Sequence, residues 1–215
     1  MGKFMKGNTM TENGESLFKD YKETTVKSET IYEGKILTLK LDTVELPNMK
    51  YAKREIALHP RGVGIIAMTE RGTMYMVRQY RVAIDETIVE IPAGLVDPGE
   101  TPQEAAEREL QEEIKFKPGK LTYLLDAYSS PGCSNEKLSI FVAEGLVHSE
   151  MDLDETEFLD VLEIPVEDLY KDILNFKIND AKTVIGILYA YHELFLPNKE
   201  EMLKNRKEFE NKKEA

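Results

Sequence analysis

The chain of 215 residues is poor in several groups that often announce a function. It has one cysteine, Cys133, no tryptophan, and three histidines, His59, His148 and His192. A single thiol excludes an intrachain disulfide and a paired-cysteine zinc site; it suits a reducing compartment, so a cytoplasmic location is expected. No histidine lies near Cys133 in sequence, which argues against a thiol nucleophile activated by imidazole. Apolar runs are short: the longest, around Val184–Tyr191, falls far below the roughly 20 residues of a membrane span. The opening MGKFMKGNTM has no apolar centre, so no signal peptide is read. Positive charge is also scarce. Lys and Arg number 28 against 40 Asp and Glu, for a formal charge of −12. Such a surface repels phosphate backbones, and nucleic acid is not an expected partner. With 41% hydrophobic residues there is still enough apolar material for a core.

Four segments follow from the patterning. Residues 1–18 are polar, with Gly2, Gly7 and Gly14, and read as a flexible leader. Residues 19–59 read as a three-strand antiparallel unit. Ile36, Leu37, Leu39, Leu41 and Val44 largely alternate with polar residues, as do Ile56 and Leu58, and Gly34 and Pro47-Asn48 mark turns. About 40 residues make a small core, so this unit is expected to pack on a partner surface. Residues 60–197 change texture. Val63–Met68 and Met74–Val77 are buried-strand runs, and Leu121–Tyr128, Leu138–Leu146 and Phe158–Ile164 are further strands. Helices are expected over Thr101–Ile114, Val166–Phe176 and Ala181–Leu196. Residues 198–215 interleave both signs of charge and read as a solvated helix or a frayed tail. Mixed strands with helices on both sides imply an α/β sandwich.

The helix from Thr101 carries the most information. Thr101-Pro102-Gln103-Glu104 combines a capping box with proline at the first helical position. Glu109, Glu112 and Glu113 then fall at i, i+3 and i+4 on one face, while Ala106, Leu110 and Ile114 form the apolar stripe. Most glutamate-rich helix faces are simply solvated. Here Glu109 and Glu113 are like charges at i,i+4, a pairing that costs ~0.2–0.5 kcal/mol, with no lysine interleaved. A divalent cation would supply the missing charge, and hard oxygen ligands suit Mg²⁺, with Mn²⁺ as a substitute. Arg108 is expected to point away from the carboxylates, toward Glu104 or Glu100.

Gly94, Glu100, Arg108, Glu109, Leu110, Glu112, Glu113 and Phe116 stand at the spacing Gly-x5-Glu-x7-Arg-Glu-U-x-Glu-Glu-x-Gly-U, where U is bulky and apolar. This pattern resembles the Nudix box, matched at eight of nine specified positions. Lys115 replaces the glycine that closes the helix, so the helix is expected to run on toward Pro118-Gly119. The run Ile91-Pro92-Ala93-Gly94-Leu95 and the downstream Ser130-Pro131-Gly132 resemble the ADP-ribose pyrophosphatase subfamily, as does the small strand unit before the box.

The resemblance implies a Nudix-type α/β/α sandwich with a mixed sheet plus a small N-terminal antiparallel β unit, and a homodimer formed by exchanging strands of that unit. It implies Mg²⁺-dependent hydrolysis of ADP-ribose to AMP and ribose 5-phosphate. Glu109, Glu113 and the Ala93 carbonyl are the implied metal ligands, with Glu112 a catalytic or shared one. The base lies in an acidic loop, Asp152, Asp154, Glu155 and Glu157, with Glu155 favoured as base and Glu157 as a metal ligand; exchange of the base role between them stays open. Arg54, Glu55, Arg81, Leu95, Ser130, Pro131, Gly132 and Glu136 are the implied substrate contacts. Forked arginines suit diphosphate oxygens. Two rivals remain: hydrolysis of another nucleotide sugar such as GDP-mannose, and a non-catalytic ligand-sensing module.

Overall fold

A computed structural model describes residues 21–149 and 158–213. The chain divides into two compact units, one ending at Leu58 and the other beginning at His59. The leader, residues 1–18, and the whole acidic loop from 152 to 157 lie outside the described residues.

The first unit is a meander of β1 (Thr24–Glu33), β2 (Thr38–Glu45) and β3 (Tyr51–Leu58), antiparallel throughout. Its β1–β2 register shifts twice, at Thr25/Lys27 and Thr30/Tyr32. Such irregularities increase local twist. Val26, Ile31, Tyr32, Ile36 and Tyr51 are exposed.

The second unit is a mixed sheet between helices. Its strands are β4 (Gly62–Met68), β5 (Thr73–Arg81), β6 (Glu86–Glu90), β7 (Ala93–Leu95), β9 (Lys120–Tyr128), β10 (Lys137–Glu144) and β12 (Leu159–Pro165), and β8 (Phe116–Lys117) pairs separately with β11 (Val147–His148). The order is β12-β5-β4-β10-β9, with β6 on β5 and β7 on β4. Only β4 and β10 run parallel among these pairs. Every residue of β4 is buried, because the strand is covered on both faces. Val63, Ile65 and Ala67 pack with Ala105, Ala106, Leu110 and Ile114 of α1 (Pro102–Ile114). Ile66 and Met68, on the opposite face, pack with Val166 and Leu169 of α2 (Val166–Leu174) and Ile187 of α3 (Ala181–Tyr189). This is the expected α/β/α layering.

The expected long last helix divides. After α3 the backbone widens into a π-helical turn, Ala190–Phe195, and tightens at Leu196–Asn198, where Pro197 cannot donate a helical bond. The tail then forms α4 (Lys199–Lys213), which has no buried residue. Arg206 ties α4 down by donating to the carbonyls of Arg71 (2.9 Å) and Gly72 (2.8 Å) and by a fork to Glu167 (2.6 and 3.1 Å). Of the two readings of this tail, the helix is the one found.

The exit of α1 also corrects an expectation. The helix does not run on to Pro118-Gly119; it stops at Ile114, with Lys115 in the left-handed region at φ 60° and ψ 37°. The N–H of Lys115 donates to Gln111 and its carbonyl accepts from Ser149 (2.8 Å), so lysine occupies a turn that glycine fills without strain. Lys115→Gly should therefore stabilise the protein by about 1 kcal/mol, raising the thermal midpoint by roughly 2–4 °C. Thermal denaturation of the two proteins checks this, and a lower midpoint in the glycine variant would contradict the assignment of strain.

Candidate active site

The capping box at the start of α1 is complete: Thr101 Oγ1 accepts from the Glu104 N–H, and the Glu104 carboxylate accepts from the Thr101 N–H at 2.8 Å. This pins the helix register, and the register turns two charged residues inward. Glu109 and Glu113 are 8% and 3% exposed, close to the burial of the apolar stripe beside them. Ionised carboxylates this buried require compensating bonds. Glu113 Oε2 accepts from the Ala93 N–H at 2.8 Å. Glu109 lies so close to β7 that a Cβ placed on Gly94 would sit 1.9 Å from Glu109 Oε1. Glycine at 94 is thus a space requirement for a carboxylate, and β7 and α1 form one carboxylate-lined seam.

Arg108 organises the rest. Its Nε and Nη2 fork onto Glu100 (3.0 Å each), Nη2 also reaches the Leu95 carbonyl (2.9 Å), and Nη1 donates to Glu109 (2.7 Å) and Glu112 (2.8 Å). Bonding to Glu100, more than to Glu112 and Glu109, raises the Arg108 pKa against the cost of burial, and the same pair holds Glu100 below the usual carboxylate range. The expectation that Arg108 folds back to Glu100 is met. The expectation that it turns away from the carboxylates is not, because a guanidinium with five donors reaches Glu100 and both glutamates together. Glu104 is already committed to Thr101.

Among the described residues, no three His, Cys, Asp or Glu side chains converge in metal-ligating geometry. The donor set still fits a hard cation: Glu109, Glu113 and Glu112 offer only oxygen, alongside the backbone of Ala93. Glu155 and Glu157 lie outside the described residues. The chain leaves for that segment from Ser149, bonded to Lys115 and Gln111 at the end of α1, and resumes on β12 opposite Gln79.

Arg81, at the end of β5, holds a second ion network. Its Nε and Nη2 fork onto the buried Glu90 at 2.7 and 3.1 Å. Burial works against its charge, but bonding to Glu90, with the added charges of Glu90, Glu113 and Asp180, raises its pKa overall. Glu90 also binds Lys182, which bonds Asp180 at 3.0 Å. Sequence reading missed Glu90 and Lys182. The available signal was a glutamate inside Thr87-Ile88-Val89-Glu90-Ile91, where an apolar residue would be the default.

The remaining candidates are dispersed. Leu95 lies on β7, paired with Gly62, which also pairs with Leu138 at the start of β10. The exposed turn Ser130, Pro131 and Gly132 joins β9 to β10 at that same end of the sheet, and Glu136 there binds Ser129 and stands 3.5 Å from His59. Arg54 and Glu55 lie on β3 of the first unit, where Arg54 forks onto Glu23 at 2.6 and 2.9 Å. Beside Leu138, Asp126 accepts from Arg61, from Ser139 (2.8 Å) and from Lys137 (2.7 Å).

The nucleoside diphosphate sugar hydrolase N-terminal domain matches residues 23–56, and the NUDIX domain matches residues 58–185. The chain belongs to the Nudix family. An ADP-ribose pyrophosphatase of Bacillus subtilis (strain 168) is 42% identical to this Nudix chain over 173 residues, covering 80% of it and 94% of the relative. A methanol dehydrogenase activator of Bacillus methanolicus is 39% identical over 183 residues, 84% of this chain and 99% of the relative. A crystal structure of an ADP compounds hydrolase superposes with a TM-score of 0.72 at 27% identity, covering 82% of this chain and 96% of that one. The carboxylate seam is the Nudix box in place: Gly94 and Glu100 precede α1, and Arg108, Glu109, Glu112 and Glu113 line it. Nudix hydrolases generally need a divalent metal, which agrees with the oxygen-only donor set.

Asp126 supplies a pH test of the network flanking this Nudix site. Burial opposes its ionisation, but bonds from Lys137, Ser139 and Arg61 outweigh that and bring its pKa to about 2. A carboxylate with a lowered pKa contributes stability that is complete above its unfolded value and is lost as pH falls through its folded one. Asp126→Asn should cost about 1–2 kcal/mol at pH 7. Denaturant midpoints should show the gap between variant and wild type narrowing from pH 4 down toward pH 2; a gap constant across that range would contradict the assignment.

Proposed function

We propose that the protein hydrolyses the diphosphate of ADP-ribose, with water, to AMP and ribose 5-phosphate, using Mg²⁺. The single observation that carries this reading is the seam in which the buried carboxylates of Glu109 and Glu113 lie against Gly94 and Ala93. Glu109, Glu113 and the Ala93 carbonyl would hold the metal, with Glu112 catalytic or shared and Glu157 a further ligand. When bound, the metal withdraws charge from the diphosphate and lowers the pKa of a bound water. Arg81 holds diphosphate oxygens, and Glu155 takes the proton of the attacking water. Arg54, Glu55, Leu95, Ser130, Pro131, Gly132 and Glu136 complete the substrate contacts. The choice of ADP-ribose is supported by the Bacillus subtilis relative, and Mn²⁺ is the natural substitute metal.

The exposed apolar residues of the small first unit support a homodimer through its strands, since three strands with that much uncovered apolar surface are poorly stable alone. A cytoplasmic location fits the exposed free thiol of Cys133. No helix among the described residues is long and apolar enough to cross a membrane.

Chromatographic measurement of the nucleotide products at fixed Mg²⁺, with ADP-ribose, GDP-mannose and a diadenosine polyphosphate as substrates, tests the substrate. ADP-ribose should have the highest kcat/KM, and preference for GDP-mannose would move the assignment to another nucleotide sugar. Glu113→Gln should lower kcat about 10²-fold or more while the circular dichroism spectrum is kept; near-normal turnover would contradict the metal role. Sedimentation at low micromolar concentration should give a dimer, and a stable monomer would overturn strand exchange.

A further inference from the structure

One buried ion network next to the seam has more charge than it needs for packing. Glu90 is almost fully buried and carries two cations, not one: Arg81 forks onto it, and Lys182 donates to it. The two cations are not equivalent. The Arg81 side chain is 41% exposed, and that of Lys182 only 11%. Arg81 is therefore the member that can meet a ligand, and Lys182 is internal.

The network is clamped from behind. Asp180 caps α3 by accepting from the Thr183 N–H (3.0 Å) and hydroxyl (2.6 Å), and it also binds Lys182. Thr183 Oγ1 accepts from the Ile91 N–H at 3.0 Å, next to Glu90. Two residues further on, the Ala93 N–H meets Glu113. The start of α3 thus fixes the same strand segment that faces the carboxylates of α1.

We propose that Lys182 is a positioning residue for Arg81: by sharing the buried carboxylate of Glu90, it lets Glu90 fix one edge of the Arg81 guanidinium without neutralising the charge that the opposite edge offers to a diphosphate. The inference rests on the functional reading above, in which Arg81 meets the diphosphate. The Nε and Nη2 edge of Arg81 is used by Glu90, and Nη1 with the second Nη2 hydrogen remains on the other side. Arg81, Lys182, Glu90 and Asp180 together sum to zero charge. Without Lys182 the set carries one net negative charge beside Glu113, which disfavours an anionic substrate.

Steady-state kinetics of the full-length protein with Mg²⁺ and ADP-ribose test this. Lys182→Met should raise KM about tenfold with kcat within about twofold, and Lys182→Arg, which keeps the cation, should restore KM. The double variant Glu90→Gln with Lys182→Met removes one charge of each sign, and its KM should return to within about threefold of wild type. A purely structural role would instead lower kcat and the thermal midpoint together with the rise in KM, so a kcat that falls in step in Lys182→Met would overturn the proposal. If circular dichroism shows Lys182→Met unfolded, Lys182→Gln carries the same expectation, because it keeps a donor to Glu90 without the charge. An unchanged KM in a folded Lys182→Met or Lys182→Gln variant, or no recovery in the double variant, would overturn the proposal. A wild-type protein inactive on ADP-ribose and on the other nucleotide sugars would instead overturn the functional reading, and the two failures are told apart by the wild-type control.

Discussion

The contact between one helix and a three-residue strand governs this molecule. Glu109 and Glu113 are buried where α1 meets β7, one against the bare Cα of Gly94 and the other on the N–H of Ala93. Two carboxylates inside a protein are unfavourable unless bonds or cations offset their charge. The surroundings supply that offset piece by piece. Arg108 gathers Glu100, Glu109 and Glu112, and Arg81 places a second cation within reach of Glu113. Sheet and helices can be viewed as the apparatus that keeps this seam in register. β4, buried on both faces, fixes β7 along one edge and packs α1 against one face.

The second unit carries two further ion networks besides this seam. The face beneath α1 ends in carboxylates and in the Arg61–Asp126–Lys137 group near the β9–β10 turn. Glu90, paired with Val77 of the cluster that packs against α1, carries Arg81 and Lys182, and the start of α3 clamps that network. In a chain of charge −12, both networks gather scarce cations around buried or half-buried carboxylates. Helix α4 braces the β4–β5 turn at the other end of the sheet through Arg206.

Much of this was legible from sequence because it is local. Thr101, Pro102 and Glu104 mark the start of α1 within one turn, and the box spacing then fixes which glutamates share a face. The β4 and β5 runs were legible because burial on both faces leaves an unbroken apolar string. The features that were not legible depend on reach or on backbone geometry. Arg108 meets Glu112 at the i,i+4 spacing that a helix puts on one face, a signal the sequence did carry, but its simultaneous hold on Glu109 and Glu100 depends on its length. Lys115 ends the helix in a conformation its side chain disfavours, so the missing glycine misled. The π-helical turn at Ala190–Phe195 has the same apolar periodicity as an ordinary helix. Glu90 and Lys182 meet across more than ninety residues of chain, and β6 and β7 are too short to show a period.

The close approach of Glu109 to Gly94 is also the point at which the account is most exposed. A methyl group at position 94 cannot coexist with the carboxylate where it now lies, and the backbone there needs no glycine for conformational reasons, since Gly94 is not among the positive-φ residues. Calorimetric titration of Mn²⁺ into Gly94→Ala and wild type isolates that contact. The variant should keep its fold and lose at least about tenfold in Mn²⁺ affinity. Equal affinity in the two proteins would contradict the claim that the seam between α1 and β7 is the cation pocket.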